Sequence, residues 1–184
     1  MSAPDDYDDD DDDDDWPMQW ADPAIRQDYE AALGRLILAH NDVDVHLTEL
    51  IACCLRRLGN PPALERLAHG MFAKRLENLE ILQALPVQLN LNGMDIANLR
   101  RLNNLRNVVA HGHFEQDPFG GEYTLLSNRE RRSDFPTERL NEITEELNAE
   151  ARSLHANTAF YDALVDLILP DLASDSEGPA ETMT

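Results

Sequence analysis

Apolar positions recur with helical period along most of this chain. Between Asp22 and about Leu58, residues Ile25, Tyr29, Leu33, Leu36, Ile37, Val43, Leu47, Leu50, Ile51, Cys54, Leu55 and Leu58 keep the three-to-four spacing that lays one apolar stripe along a long helix. Asp22 stands where a cap belongs and Pro23 at the first helical position, where a missing N–H is harmless. Gly59-Asn60-Pro61-Pro62 stops this helix. Residues 63–69 suit a short helix. Residues 71–85 suit another, with Phe72, Leu76, Leu79, Ile81 and Leu82 apolar and Pro86 at its end, and 88–93 read as a loop. The next helix is predicted over 95–111, with Ile96, Leu99, Leu102, Leu105 and Val109 as its buried stripe. Arg100, Asn104, Asn107 and His111 are spaced to share its polar face. Gly112 occupies the place of the left-handed glycine that follows many helices. Residues 113–115 and 122–126 flank Pro118-Phe119-Gly120-Gly121 and read as a β-hairpin. Pro136 opens a last long helix whose stripe is Leu140, Ile143, Leu147, Ala151, Leu154, Thr158, Tyr161, Val165 and Ile168, and Pro170 is expected to stop it.

The predicted fold class is therefore all-α: an up-down helical bundle of four to five helices with one small inserted β-hairpin. It spans residues 22–172, between acidic tails at 1–21 and 173–184 that are expected to be disordered. With 184 residues the chain can bury a proper core as one domain. It contains no apolar run of about 18 residues, so no membrane span is predicted, and its acidic start does not read as a secretory signal. Cys53 and Cys54 are neighbours, cannot staple distant segments and have no metal-ligand spacing with any His, so they read as buried thiols of a cytoplasmic protein.

Charge sharpens the picture. Of a formal net charge of −21, residues 1–15 carry −10, mostly as the unbroken Asp run 8–15, and the rest carries −11. Such a domain repels phosphate at long range, so any nucleic-acid contact needs a local basic pocket. The Asp run serves either as a solubilising tail or as a phosphate mimic that folds back onto such a pocket and inhibits it. Trp16 and Trp20 beside it are suited to anchor the tail to the domain surface.

Neither a glycine-rich phosphate loop nor a paired-His or Cys-His metal spacing is found, and Lys74 is the single lysine; no cofactor and no metal are predicted. The remaining chemistry lies at Arg106-Asn107-Val108-Val109-Ala110-His111. His111 closes its helix at the end whose partial negative charge attracts a cation. Asn107, one turn earlier, can bond and orient the imidazole. Arg106 points to the side of that face and offers a planar fork for phosphate oxygens. An acid/base and a fork suffice for metal-independent RNA cleavage. The same residues also suit a plain structural role, a capping His and a salt-bridging Arg. Arg35 and His40 share the spacing inside the first helix and carry no weight.

Leu105-Arg106-Asn107-Val108-Val109-Ala110-His111-Gly112 resembles the signature of HEPN domains, an Arg, a polar residue often Asn, a short spacer and a His at the end of a late helix. The order of elements fits over about residues 22–170. Ala39-His40-Asn41-Asp42-Val43-Asp44 resembles the first-helix pattern of a bacterial subgroup, with Asp44 at its acidic position, and Phe72-Ala73-Lys74-Arg75-Leu76 resembles its Phe-x-Lys pattern. The chain departs from it at His40, where an aromatic is expected, which reads as a His packed in the core stripe. The resemblance implies a homodimer with two motifs facing across a shared cleft, and a metal-independent endoribonuclease acting as a toxin or defence effector on RNA, with an antitoxin or other protein as partner. It implies that Arg106 holds the scissile phosphate, that His111 is the acid/base, and that Asn107 orients His111 or the substrate. Asp44 would pair with Arg106 or His111 as a supporting residue, and Lys74 and Arg100 would contact RNA backbone. Some members are inactive, which leaves open a non-catalytic helical module for protein or nucleotide binding. Arg129, Arg131 and Arg132 form a basic patch that would guide phosphate or meet the acidic tails.

Overall fold

The computed structural model describes residues 19–84, 94–127 and 129–173, with side chains through Leu164. The Asp run, Trp16, the 88–93 loop and most of the C-terminal tail lie outside the described residues. Four α-helices, one 3₁₀ turn and a small sheet follow in order: α1 (Pro23–Arg57), the 3₁₀ turn (Pro62–Ala68), α2 (Phe72–Gln83), α3 (Ile96–His111), β1 (His113–Gln116), β2 (Tyr123–Ser127), β3 (Glu130–Arg132) and α4 (Thr137–Ala173). The fold is mostly helical with a small insertion. The insertion is a three-stranded antiparallel meander rather than a bare hairpin, because β3 adds to the outer edge of β2.

The expected cap at Asp22 is in place, and Asp95, read as the first helical residue, caps α3 instead. Asp22 Oδ1 accepts from the Ala24 amide at 2.8 Å, with Pro23 opening α1, and Asp95 Oδ1 accepts from the Asn98 amide at 2.9 Å. Each satisfies a donor that the helix itself leaves open. At the other end of the chain, α4 continues past Pro170 to Ala173 instead of stopping there. Proline removes one bond to the preceding turn, and near a terminus little helix remains to be disrupted.

The core runs along α1 and α4. Leu36, Val43, Leu47 and Leu50 meet Leu140, Ile143, Leu147 and Leu154, all without measurable exposure. α2 packs on α1, and α3 packs on α1 and α2 and reaches α4 through Asn98–Glu150 and Arg101–Glu146. Cys53 and Cys54 are buried and unbridged, and burial pushes their thiols up to about 12 and about 11.

Tyr29 fastens the sheet. Its ring stacks on Tyr123 with centroids 3.9 Å apart and meets Phe114 edge-on at 5.7 Å, while its hydroxyl donates to the Phe135 carbonyl at 3.0 Å. The turn before β2 is drawn tight by Asp117, whose Oδ1 accepts from the amides of Phe119 and Gly120. Trp20 stacks on Phe119 at 5.6 Å, and the Ala21 amide donates to the Pro118 carbonyl at 2.9 Å, so the segment before α1 lies on that turn. Gly121 has φ +80°, and a Cβ there would come within 2.7 Å of Ile25 Cδ1.

Gly112 differs from the sequence expectation in its reason, not its place. It is extended, with φ −83° and ψ 161°, rather than left-handed. A Cβ at this point would collide with Leu125 Cδ1 and stand 3.0 Å from the Val108 carbonyl oxygen. Glycine is needed because β2 passes directly over the end of α3. Since Leu125 is itself buried, Gly112→Ala is expected to destabilise the fold by about 1–3 kcal/mol. Thermal unfolding of the variant checks this, and an unchanged melting temperature would show that Leu125 has room to move.

Candidate functional site

α1, α2 and α3 enclose a cleft of about 480 Å³. His40 and Asp44, one turn apart on α1, line it together with Phe72 and Arg75 at the start of α2, and Asn103, Arg106, Asn107 and His111 on α3. The α3 residues recur at steps of three and four, so they form one stripe. This stripe keeps Asn107 and His111 of the polar face read from the sequence, but not Arg100 or Asn104. Asn103 and Arg106 turn toward the cleft, whereas Arg100 turns away and gives both guanidinium nitrogens to Glu80 of α2, at 2.7 and 2.6 Å.

Arg75 forms the floor on the α1 side. It is 5 % exposed, and its guanidinium meets the Asp44 carboxylate, the Asp44 carbonyl oxygen at 3.1 Å and Thr48 Oγ1. A buried guanidinium keeps its charge and is tolerated only when paired. Asp44 therefore supports the site through Arg75, and not through Arg106 or His111 as the resemblance implied.

Arg106 has no such carboxylate. It is half-buried, its Nη1 donates to Asn107 Oδ1 at 3.2 Å, and its buried Nε has no partner among the described residues. Asn107 thus holds Arg106, where the sequence suggested a bond to His111. The His111 residue is exposed at the cleft mouth. His40 is 4 % exposed and packs on Phe72 with ring centroids 5.0 Å apart. Neither of its ring nitrogens has a hydrogen-bond partner among the described residues. Burial pulls its pKa down, Arg106 and more weakly Arg75 add to this, and Asn103 and Asp44 oppose it. The net effect lowers its pKa below that of an ordinary imidazole.

Lys74 does not line the cleft. It is exposed and pairs with Glu77 at 2.7 Å. Arg131 and Arg132 of the basic patch bond Glu115 and Asp134, so this patch is largely neutralised. Sequence reasoning read His40 as packed in the core stripe, in keeping with its burial, but not as a cleft residue, and gave Arg75 and Asn103 no role because their neighbours come from other helices. The one available signal was the one-turn step from His40 to Asp44. A second cluster lies on the α1–α4 side: His46 and Glu49 of α1 with His155 of α4, whose ligand atoms all fall within 4.8 Å of one another. No sequence spacing announced it, because its members come from opposite ends of the chain. No helix among the described residues is long and apolar enough to cross a membrane.

Asp44→Ala is expected to destabilise the protein by about 1–3 kcal/mol, because Arg75 would stay buried without its carboxylate. Calorimetric unfolding against the milder Thr48→Val checks this, with the larger loss expected for Asp44→Ala.

No family model, curated protein or solved structure matches this chain.

Proposed function

We propose that this chain is a metal-independent endoribonuclease of HEPN type that binds an RNA phosphodiester in the α1–α2–α3 cleft. The observation that carries the reading is Arg106, a half-buried guanidinium with no carboxylate partner among the described residues, beside His111 in a protein of net charge −21. In so acidic a chain an uncompensated cation at a cleft is a place to receive an anion, and a guanidinium fork matches two phosphate oxygens. Asn107 holds that fork in place. The exposed imidazole of His111 stands at the mouth, where it can pass a proton to or from the ribose-phosphate. As the ribose 2′-oxygen attacks phosphorus, charge grows on the phosphoryl oxygens and Arg106 meets it.

In this reading two copies associate with their clefts facing each other. Met71, 82 % exposed and part of the cleft lining, is an apolar side chain that a second copy would cover.

The test is cleavage of end-labelled RNA in excess EDTA. Wild type is expected to cut, His111→Ala and Arg106→Ala to lose about 10²-fold or more, and a 2′-deoxy linkage to resist. Equal cleavage by wild type and His111→Ala, or none by wild type, overturns the reading.

A further inference from the structure

Burying an imidazole without a hydrogen bond to either nitrogen is costly, and folded proteins rarely leave such a group unmatched. His40 is that group, and its ring lines the cleft with both nitrogens buried. A packing role alone would be filled better by phenylalanine, which could face Phe72 without carrying two polar atoms. We propose that His40 is the second proton-transfer group of the cleft, acting on the ribose 2′-hydroxyl while His111 acts on the leaving oxygen. This rests on the ribonuclease reading above and completes it within one chain.

The step balances as follows. A ring nitrogen of His40 takes the 2′-hydroxyl proton as the bond from the 2′-oxygen to phosphorus forms. The bond from phosphorus to the 5′-oxygen breaks, and protonated His111 gives that oxygen its proton. The products are a 2′,3′-cyclic phosphate and a 5′-hydroxyl, and the two imidazoles exchange protons with water to reset. The surroundings of His40 suit it to be the base. Arg106 faces it from α3 and Arg75 from α2, both cationic, while Asp44, the carboxylate one turn along its own helix, is engaged by Arg75. Burial and these cations favour the neutral form of His40, the form a base needs.

His40→Phe keeps the ring and the contact with Phe72, and His40→Gln keeps a polar group. Both are expected to fall at least about 10²-fold in cleavage while unfolding within a few degrees of wild type. The acid limb of the wild-type rate–pH profile, which reports the base, is expected to vanish in both. Titrating the intact protein with a 2′-deoxy oligonucleotide, which binds but cannot react, is expected to move the His40 imidazole resonances. Wild-type rates in His40→Phe, or resonances that do not move, overturn this role and leave His111 in its own. Wild type that fails to cut RNA overturns the ribonuclease reading itself.

A separate observation carries a second proposal. His46, Glu49 and His155 offer two imidazole nitrogens and a carboxylate oxygen within 4.8 Å of one another, and His46 Nδ1 already meets Glu49 Oε2 at 2.8 Å. We infer that they bind a divalent transition ion such as zinc, clamping α1 to α4. Zinc bonds of about 2.0–2.1 Å require the donors to close up slightly. Glu49 and His155 are exposed and free to turn, and a fourth position stays open to water. Calorimetric titration of the metal-free protein with zinc chloride is expected to show one bound ion per chain. His46→Ala and His155→Ala are each expected to weaken it about tenfold or more. Wild type that binds no more tightly than these variants overturns the site.

Discussion

The apolar seam between α1 and α4 is the contact on which the remaining elements rest. Each fully buried leucine or isoleucine along it contributes about 1.5–3 kcal/mol, and the seam has such residues on both helices over most of their length. α1 also receives α2 and α3, and α3 reaches across to α4. Those two shorter helices have less apolar surface to offer, and their placement depends more on specific polar contacts. Arg75 bonding Asp44 and Thr48 fixes α2 to α1, and the Arg100–Glu80 pair fixes α3 to α2.

The cleft is a consequence of that division. Where α2 and α3 meet α1, the core stripe is interrupted by His40, Arg75 and Asn103, three polar residues at 4–7 % exposure. The chain keeps an unpartnered imidazole and an unpartnered guanidinium nitrogen, both buried, on residues that line the cleft. Polar groups held this way are expensive in the empty cleft, and a ligand that bonds them recovers the cost. β2, passing over Gly112, sets the direction in which the end of α3, and with it His111, is presented.

Much of the fold could be read from residue pattern. The stripes of α1, α3 and α4, the cap Asp22 and the turn around Pro118–Gly121 depend on neighbours a few positions away, so local sequence carries them. The third strand could not be read, because β3 is three residues long and exists through pairing with β2. At the site, Arg106, Asn107 and His111 were legible as a motif and Asp44 as a supporting acid. The partners were not: Asp44 bonds Arg75, and Asn107 bonds Arg106. Lys74 and Arg100 looked like free cations in sequence, and folding placed Glu77 and Glu80 beside them.

By itself, then, the sequence determined which segments are helical, where they begin and which side each buries, since those follow from periodicity and from end groups a few residues apart. It also placed an Arg-Asn and a His at the end of one helix. Only the tertiary structure decided what faces them. α1, α2 and α3 had to meet before the buried His40 lined a cleft and before Arg75 bonded Asp44, and α1 had to meet α4 before His155 joined His46 and Glu49. Such meetings depend on helix crossing and side-chain volume, to which residue spacing along one helix is blind.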